Sequence, residues 1–403
     1  MSSSNIGIKI TIIHLYLKSH YLILRHLYFK IFILFIIALM SSNIINAKED
    51  YQKFTTGQSG ATCKNVPHSD VTKIEKKDLL KDDFEGAHSV YPPSRGFGPV
   101  LVDLGLFINQ LTKISPVDNS FKIEGYLDLI WCDPRLSFET ADGDISKQYF
   151  LEESASIALN RIWWPAISIT NAISKRTSEN LELIINHDGT IEYRERFNAE
   201  LSSNFDFFKF PFDSQKLKIE LASFAWNENF LRFHENNNLI GFNTNFEIEE
   251  WSTQSVHSEI RNIFDSNDNS SFSNFYLEID VTRHAGFYLW KVIFPILIVV
   301  IISFSVFWMA GNILADRMFV SMTGLLTSVA YQFIISESLP RLSYITLMDI
   351  ILSFSYCLMA IMILLNVYIN HLHTENFDKS LRINAMSRWI FPLLYFLGLI
   401  VIL

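Results

Sequence analysis

The sequence predicts a chain of mixed class: an exported β-sandwich followed by a four-helix transmembrane bundle. Three observations predict it. A basic leader ends in a short apolar run, an acidic middle section alternates like half-buried strands, and the last third holds four long apolar segments. Over 403 residues the mean hydropathy is +0.20 and the net charge −9. These averages blend unlike parts. Residues 1–47 hold four basic residues and no acids, 48–286 hold 23 basic and 37 acidic residues, and 287–403 hold six basic and five acidic. The acid excess excludes electrostatic binding of nucleic acid. Three cysteines are too few for a disulfide-built scaffold.

Residues 1–47 read as a signal peptide. Ile31 to Met40 is too short for a span of about 20 residues, and small residues come after it, so cleavage is expected after Ala47. An uncleaved anchor is the alternative, and either one exports the acidic middle section. Residues 48–91 are polar and form an N-terminal extension, with a charged run at Lys73–Phe84 that predicts one short helix. Residues 92–286 form the sandwich. Segments 100–108, 121–131, 181–185, 190–194 and 217–221 show partial period-2 alternation, with turn signals such as Asp118-Asn119 and His187-Asp188-Gly189 between them. Cys63 and Cys132 could pair in an oxidising compartment, but both are expected to be unpaired, and Cys357 is expected to pack inside the third apolar segment.

Residues 287–403 form the transmembrane domain, with spans near 288–309, 318–336, 344–370 and 385–403. With the acidic domain exported, Arg317, Lys379, Arg382 and Arg388 fall on the cytoplasmic side, as the positive-inside rule requires. The chain carries no GxSxG, HExxH or P-loop motif. His371-Leu-His373-Thr-Glu375 reads as polar residues at a membrane boundary rather than a metal site. A non-enzyme without metal or cofactor is expected.

Six motifs in order give this architecture a resemblance. Trp131-Cys-Asp-Pro-Arg-Leu136, Trp163-Trp-Pro165 with Asn171, Phe210-Pro-Phe-Asp-Ser-Gln215, Arg283 before the first span, Pro295 within it, and Leu339-Pro-Arg341 after the second resemble the pentameric ligand-gated (Cys-loop) ion channels. The match covers about residues 92–403. The family's loop cysteines would fall at Ser203 and Leu217, so that disulfide is missing. The loop expected at 371–384 is short. Both departures resemble the prokaryotic members. The resemblance implies an immunoglobulin-like ligand-binding sandwich, a homopentamer built with four further copies of the chain, and a multi-pass place in a bacterial inner (plasma) membrane with the N-terminal domain periplasmic or extracellular.

Phe319, Thr323, Leu326, Ala330, Phe333 and Glu337 recur at steps of 4, 3, 4, 3 and 4, which places them on one helical face. The resemblance makes this stripe pore-lining, with Asp316 at the cytoplasmic mouth and Glu337 at the outer one. Acidic rings at both ends imply selectivity for monovalent cations. Leu326 would close the pore by dewetting, with Phe333 a second ring. Phe319 at the narrowest level implies low conductance or a mostly closed pore, unless it turns into the subunit interface.

For the agonist, the resemblance points to Thr170 and Asn171, Phe224 with Trp226, and Phe264 and Phe272 on the principal face, and to Tyr126 on the complementary strand. An aromatic box of this kind suits an ammonium group, so the candidate agonists are a small molecule, an amine among them, or protons. Ordinary sandwich packing is the alternative. The Ser-, Asn- and Asp-rich segment 257–276 is expected to be a mobile loop. For coupling to the pore, the resemblance points to an Asp213–Arg283 ion pair, joined by Asp118, and to Pro340 and Arg341 beyond the pore helix. Asp349 stands out as an acid near the start of the third span. The rival reading is a non-conducting membrane-anchored sensor or adhesion protein with the same sandwich.

Overall fold

A computed structural model describes Cys63 and residues 91–93, 98–139, 146–243, 248, 250–337 and 339–403. The leader, its cleavage site and the helix expected at Lys73–Phe84 lie outside the described residues.

Eleven strands are described: β1 (Val100–Ser115), β2 (Ser120–Cys132), β3 (Lys147–Leu151), β4 (Ile167–Ile169), β5 (Thr177–Asn186), β6 (Thr190–Ser202), β7 (Ser214–Ser223), β8 (Leu231–Glu235), β9 (Gly241–Phe242), β10 (Trp251–Asp265) and β11 (Ser270–Arg283). One sheet runs β3-β5-β6-β2-β1-β8, with β9 also on β1, and the other runs β10-β11-β7-β4. Alternation builds the core. Leu127, Leu129 and Trp131 of β2 are buried with Leu217, Ile219 and Leu221 of β7 and Phe275, Leu277 and Ile279 of β11. A short helix, α1 (Glu153–Leu159), comes after β3.

Two expectations for the exported region are corrected. Segment 257–276 is no loop: β10 pairs with β11 from Trp251↔Arg283 to Asp265↔Ser270, leaving only residues 266–269 as the turn. The polar residues that mimic a loop occupy the outward positions of a hairpin anchored through β7. Cys63 and Cys132 are not free thiols but a disulfide, with Cα atoms 5.1 Å apart. The buried Cys63 also donates its N–H to Thr190 Oγ1 of β6 (3.0 Å), which holds Cys63 itself at the end of β2. A separation of 69 residues hides this pairing from the sequence.

Four helices complete the chain: α2 (Gly286–Trp308), α3 (Leu314–Ser336), α4 (Leu347–Glu375) and α5 (Phe377–Ile402). The helices α2, α4 and α5 are long and apolar enough to cross a membrane. A π-turn at Leu289–Ile293 precedes Pro295, which cannot donate to the helical ladder. The expected loop at 371–384 shrinks to Asn376, which ends α4 and caps α5 by accepting from Lys379 N (3.1 Å). The charged residues that read as loop lie on exposed helix faces. Cys357 lies on the exposed surface of α4 rather than packed inside the bundle. Asp349 is explained by a capping box: its carboxylate accepts from Thr346 N (3.0 Å) and Oγ1 (2.7 Å).

Candidate functional site

The sandwich meets the helices at the end of β11. Arg283 Nε donates to Asp213 Oδ1 (2.8 Å) and Nη2 to Oδ2 (3.2 Å), with both side chains 1% exposed. Gln215 Nε2 donates to Asp213 Oδ2 (2.6 Å), and Arg283 Nη1 reaches Glu250 Oε2 (3.3 Å). The guanidinium lies 4.1 Å from the Trp251 ring centre and 5.1 Å from that of Phe210, and Phe210 meets Tyr288 of α2 edge-on at 4.7 Å. Burial strengthens these contacts because little water competes. Asp118 is not part of the pair. It accepts from Ser115 Oγ (2.6 Å) in the exposed β1–β2 turn. The loop before α4 bonds the sandwich through Tyr344, whose hydroxyl accepts from Phe207 N (3.0 Å), and the first residue of α4, Leu347, donates its N–H to Phe208 O (2.8 Å). Pro340 and Arg341 make no such bond among the described residues. Sequence reasoning did not find Glu250, Trp251 or Tyr344, since no motif marks them.

On α3 the predicted stripe is open. Asp316, Phe319, Thr323, Leu326, Ala330, Phe333 and Glu337 are all exposed, Leu326 at 72%. The opposite face is buried against the subunit's own helices through Arg317, Ser321, Gly324 and Ser328. Gly324 lies so close to Ser303 of α2 that a Cβ there would overlap it, which sets how near the two helices approach.

The agonist candidates divide between the sheets. Thr170, Phe224, Phe264 and Phe272 lie on or beside the smaller sheet, with Phe224 85% exposed and Phe264 61%. Tyr126 lies half-buried on β2 of the other sheet, beside the ion pairs Arg196–Glu124 and Arg194–Asp128. Two candidates are already engaged. Asn171 donates to Lys218 O (2.7 Å) and Ser202 O (3.1 Å) and accepts from Glu220 N (3.2 Å), so its amide stitches β6 to β7. Trp226 turns inward, donating to Trp164 O (3.3 Å) and packing on Trp163 at 5.9 Å. The structure adds Glu220 and Tyr276, cross-strand partners next to Thr170, and Arg261, whose guanidinium lies 5.9 Å from the Tyr276 ring centre. Partial burial, and then the charge of Glu220, push the Tyr276 phenol up.

A sandwich with a buried ion pair at the end that leads into four helices, one of them with a single uncovered stripe, defines the subunit of a ligand-gated channel. Residues 76–285 match the neurotransmitter-gated ion-channel ligand binding domain family. The chain is 30% identical over 375 residues to gamma-aminobutyric acid receptor subunit rho-2 of Homo sapiens, covering 88% of this chain and 77% of that subunit. It is 23% identical over 312 residues to a proton-gated ion channel of Gloeobacter violaceus, covering 77% of this chain and 84% of that protein. The chain therefore belongs to the neurotransmitter-gated, or Cys-loop, family of pentameric ligand-gated ion channels. It is a membrane channel subunit and not an enzyme.

Proposed function

We propose that five copies of this chain form a cation-selective channel of a bacterial inner membrane, opened when a small amine or protons bind its periplasmic domain. The observation that carries this reading is the open face of α3. It presents two carboxylates, Asp316 and Glu337, while the neighbouring Arg317 is turned into the bundle. In a pentamer this face would make an acidic ring at each mouth and apolar rings of Leu326 and Phe333 between them. Agonist binding would shift the population towards the state in which the Leu326 ring is wide enough to stay wet. The Cys63–Cys132 disulfide supports export, because such bonds persist in oxidising compartments. The exposed aromatics Phe224 and Phe264 and the half-buried Phe272, with Tyr126 contributed by a neighbouring subunit, support an ammonium-binding site.

The test is current through purified protein in a planar bilayer under a potassium chloride gradient, with amines and acid applied to the sandwich side. Reversal near the potassium equilibrium potential is expected. Reversal near the chloride potential would overturn the selectivity. Intact pentamers that stay silent under every stimulus would favour the non-conducting sensor.

A further inference from the structure

Two asparagines are buried in the helical bundle, Asn366 of α4 between Leu365 and Val367, and Asn384 of α5 between Ile383 and Ala385. An amide held away from water is costly unless its donors and its acceptor find partners. Asn366 Nδ2 donates to Ser321 Oγ of α3 (3.0 Å), and that hydroxyl donates to Arg317 O (2.8 Å). Asn384 Nδ2 donates to Phe307 O at the end of α2 (2.9 Å). With their N–H groups engaged in this way, both amides turn their oxygens to a single atom. Arg317 Nη2 donates to Asn366 Oδ1 (2.8 Å) and to Asn384 Oδ1 (2.9 Å).

These two bonds are weak restraints on a charge. Arg317 is fully buried, its Nε and Nη1 have no partner, and among the described residues no carboxylate pairs with it. Arg388 Nε donates to the same Phe307 carbonyl (2.8 Å), so a second positive charge is joined to the first through one amide and one carbonyl. Desolvation and like charge both favour moving the Arg317 guanidinium out to water. Arg317 lies in the first turn of α3, beside the exposed Asp316. Its flexible stem is long enough to carry the charged head from the bundle to the water at that end of the helix. Two neutral oxygens, one from each of two neighbouring helices, hold it back.

We infer that Asn366 and Asn384 are positioning residues for ion selectivity. They keep the Arg317 guanidinium behind the pore-facing side of α3 and so leave the Asp316 carboxylate unopposed at the mouth. The role rests on the open stripe of α3 lining a cation pore, as proposed above. Each subunit brings one acid and one base to this level, so residue content alone gives the mouth no sign. The two amides give it one, by deciding which of the two charges meets the ions.

Two measurements on the full-length protein test this. The first needs no current. The protein is treated with p-hydroxyphenylglyoxal, a water-soluble arginine reagent, and modification of Arg317 is counted by peptide mass spectrometry. Arg317 should stay unmodified in the native protein and become modified in Asn366→Leu/Asn384→Leu, which keeps the branched shape of both side chains and removes both acceptors. The second is the reversal potential in a planar bilayer under a potassium chloride gradient. The double variant should lower the potassium-to-chloride permeability ratio by about fivefold, the effect of a unit charge about 4 Å from the ion path in water. Adding Arg317→Met to the double variant should bring the ratio back to the native value or above, since no charge is left to release. Asn384→Leu alone serves in both measurements if the double variant fails to assemble. Equal modification of Arg317 in native and variant protein would overturn the inference, as would a native cation selectivity that the variant keeps in full. A lost selectivity that Arg317→Met fails to restore would also overturn it, by reducing the asparagines to a packing role. A native protein that is silent or reverses near the chloride potential would sink the cation pore itself, and the selectivity role with it.

Discussion

Arg283 and Asp213 close the junction between sandwich and helices as a two-pronged ion pair, Nε to Oδ1 at 2.8 Å and Nη2 to Oδ2 at 3.2 Å, sealed from water by Trp251 and Phe210. Residues at this pair lie one step from α2 on one side and from the Phe210-Pro211 turn on the other. Any relative motion of the two domains must pass close to it.

Removing one partner of such a buried pair leaves the other charge uncompensated, at a cost of about 3–5 kcal/mol. Arg283→Gln should lower the melting temperature and abolish ligand-evoked current. The double variant Asp213→Asn/Arg283→Gln should regain part of the stability without the current. Thermal melts beside bilayer recordings check this, and full current in the double variant would reduce the pair to a structural role.

Asn171→Ala should cost stability rather than agonist sensitivity. The amide serves Lys218 O, Ser202 O and Glu220 N, and each hydrogen bond of this kind contributes roughly 0.5–1.5 kcal/mol. Phe224→Ala and Phe272→Ala should do the reverse, shifting dose–response curves with little change in melting. A curve shifted by Asn171→Ala alone would contradict this division.

Asp128 gives a pH signature. Burial raises its carboxyl above the usual range, with the Arg194 guanidinium at 2.6 Å opposing. A carboxyl whose folded pKa lies above its unfolded one contributes stability at low pH and loses it as pH rises through the folded value. Asp128→Asn removes that loss. Its melting temperature relative to the native protein should therefore improve as the pH rises upward from the ordinary carboxylate range. A constant offset over that rise would argue against it.

The disulfide is open to a direct count. Under denaturing, non-reducing conditions maleimide should label one thiol, Cys357, and after reduction all three cysteines. Cys132→Ser should cost about 2–4 kcal/mol, read as a lower melting temperature of the sandwich.

At the pore, Leu326→Ala should give current without ligand, because a smaller side chain leaves a wetter ring. Phe319→Ala should raise unitary conductance if the ring at that level faces the lumen. Single-channel recordings separate the two, and an unchanged unitary conductance would place Phe319 at the subunit interface.

Much of this molecule can be read from local pattern. Alternation at Val100–Ile108 and Phe121–Trp131 foretells β1 and β2, because period 2 is the spacing of a strand with one buried face. Apolar runs foretell four helices, and steps of three and four foretell the stripe on α3. The motif at Phe210–Gln215 points to Asp213. What local pattern cannot carry is the meeting of distant residues. Glu250 and Trp251 reach Arg283 because β10 pairs with β11, and Cys63 reaches Cys132 across 69 residues. Nothing local shows that the amide of Asn171 is already consumed. Asp316 and Arg317 make the contrast sharpest. Adjacent in the sequence, they differ by about 100° around the helix axis, so periodicity puts them on different faces. Only the packing of α3 on α2, α4 and α5 decides that the acid faces outward and the base inward.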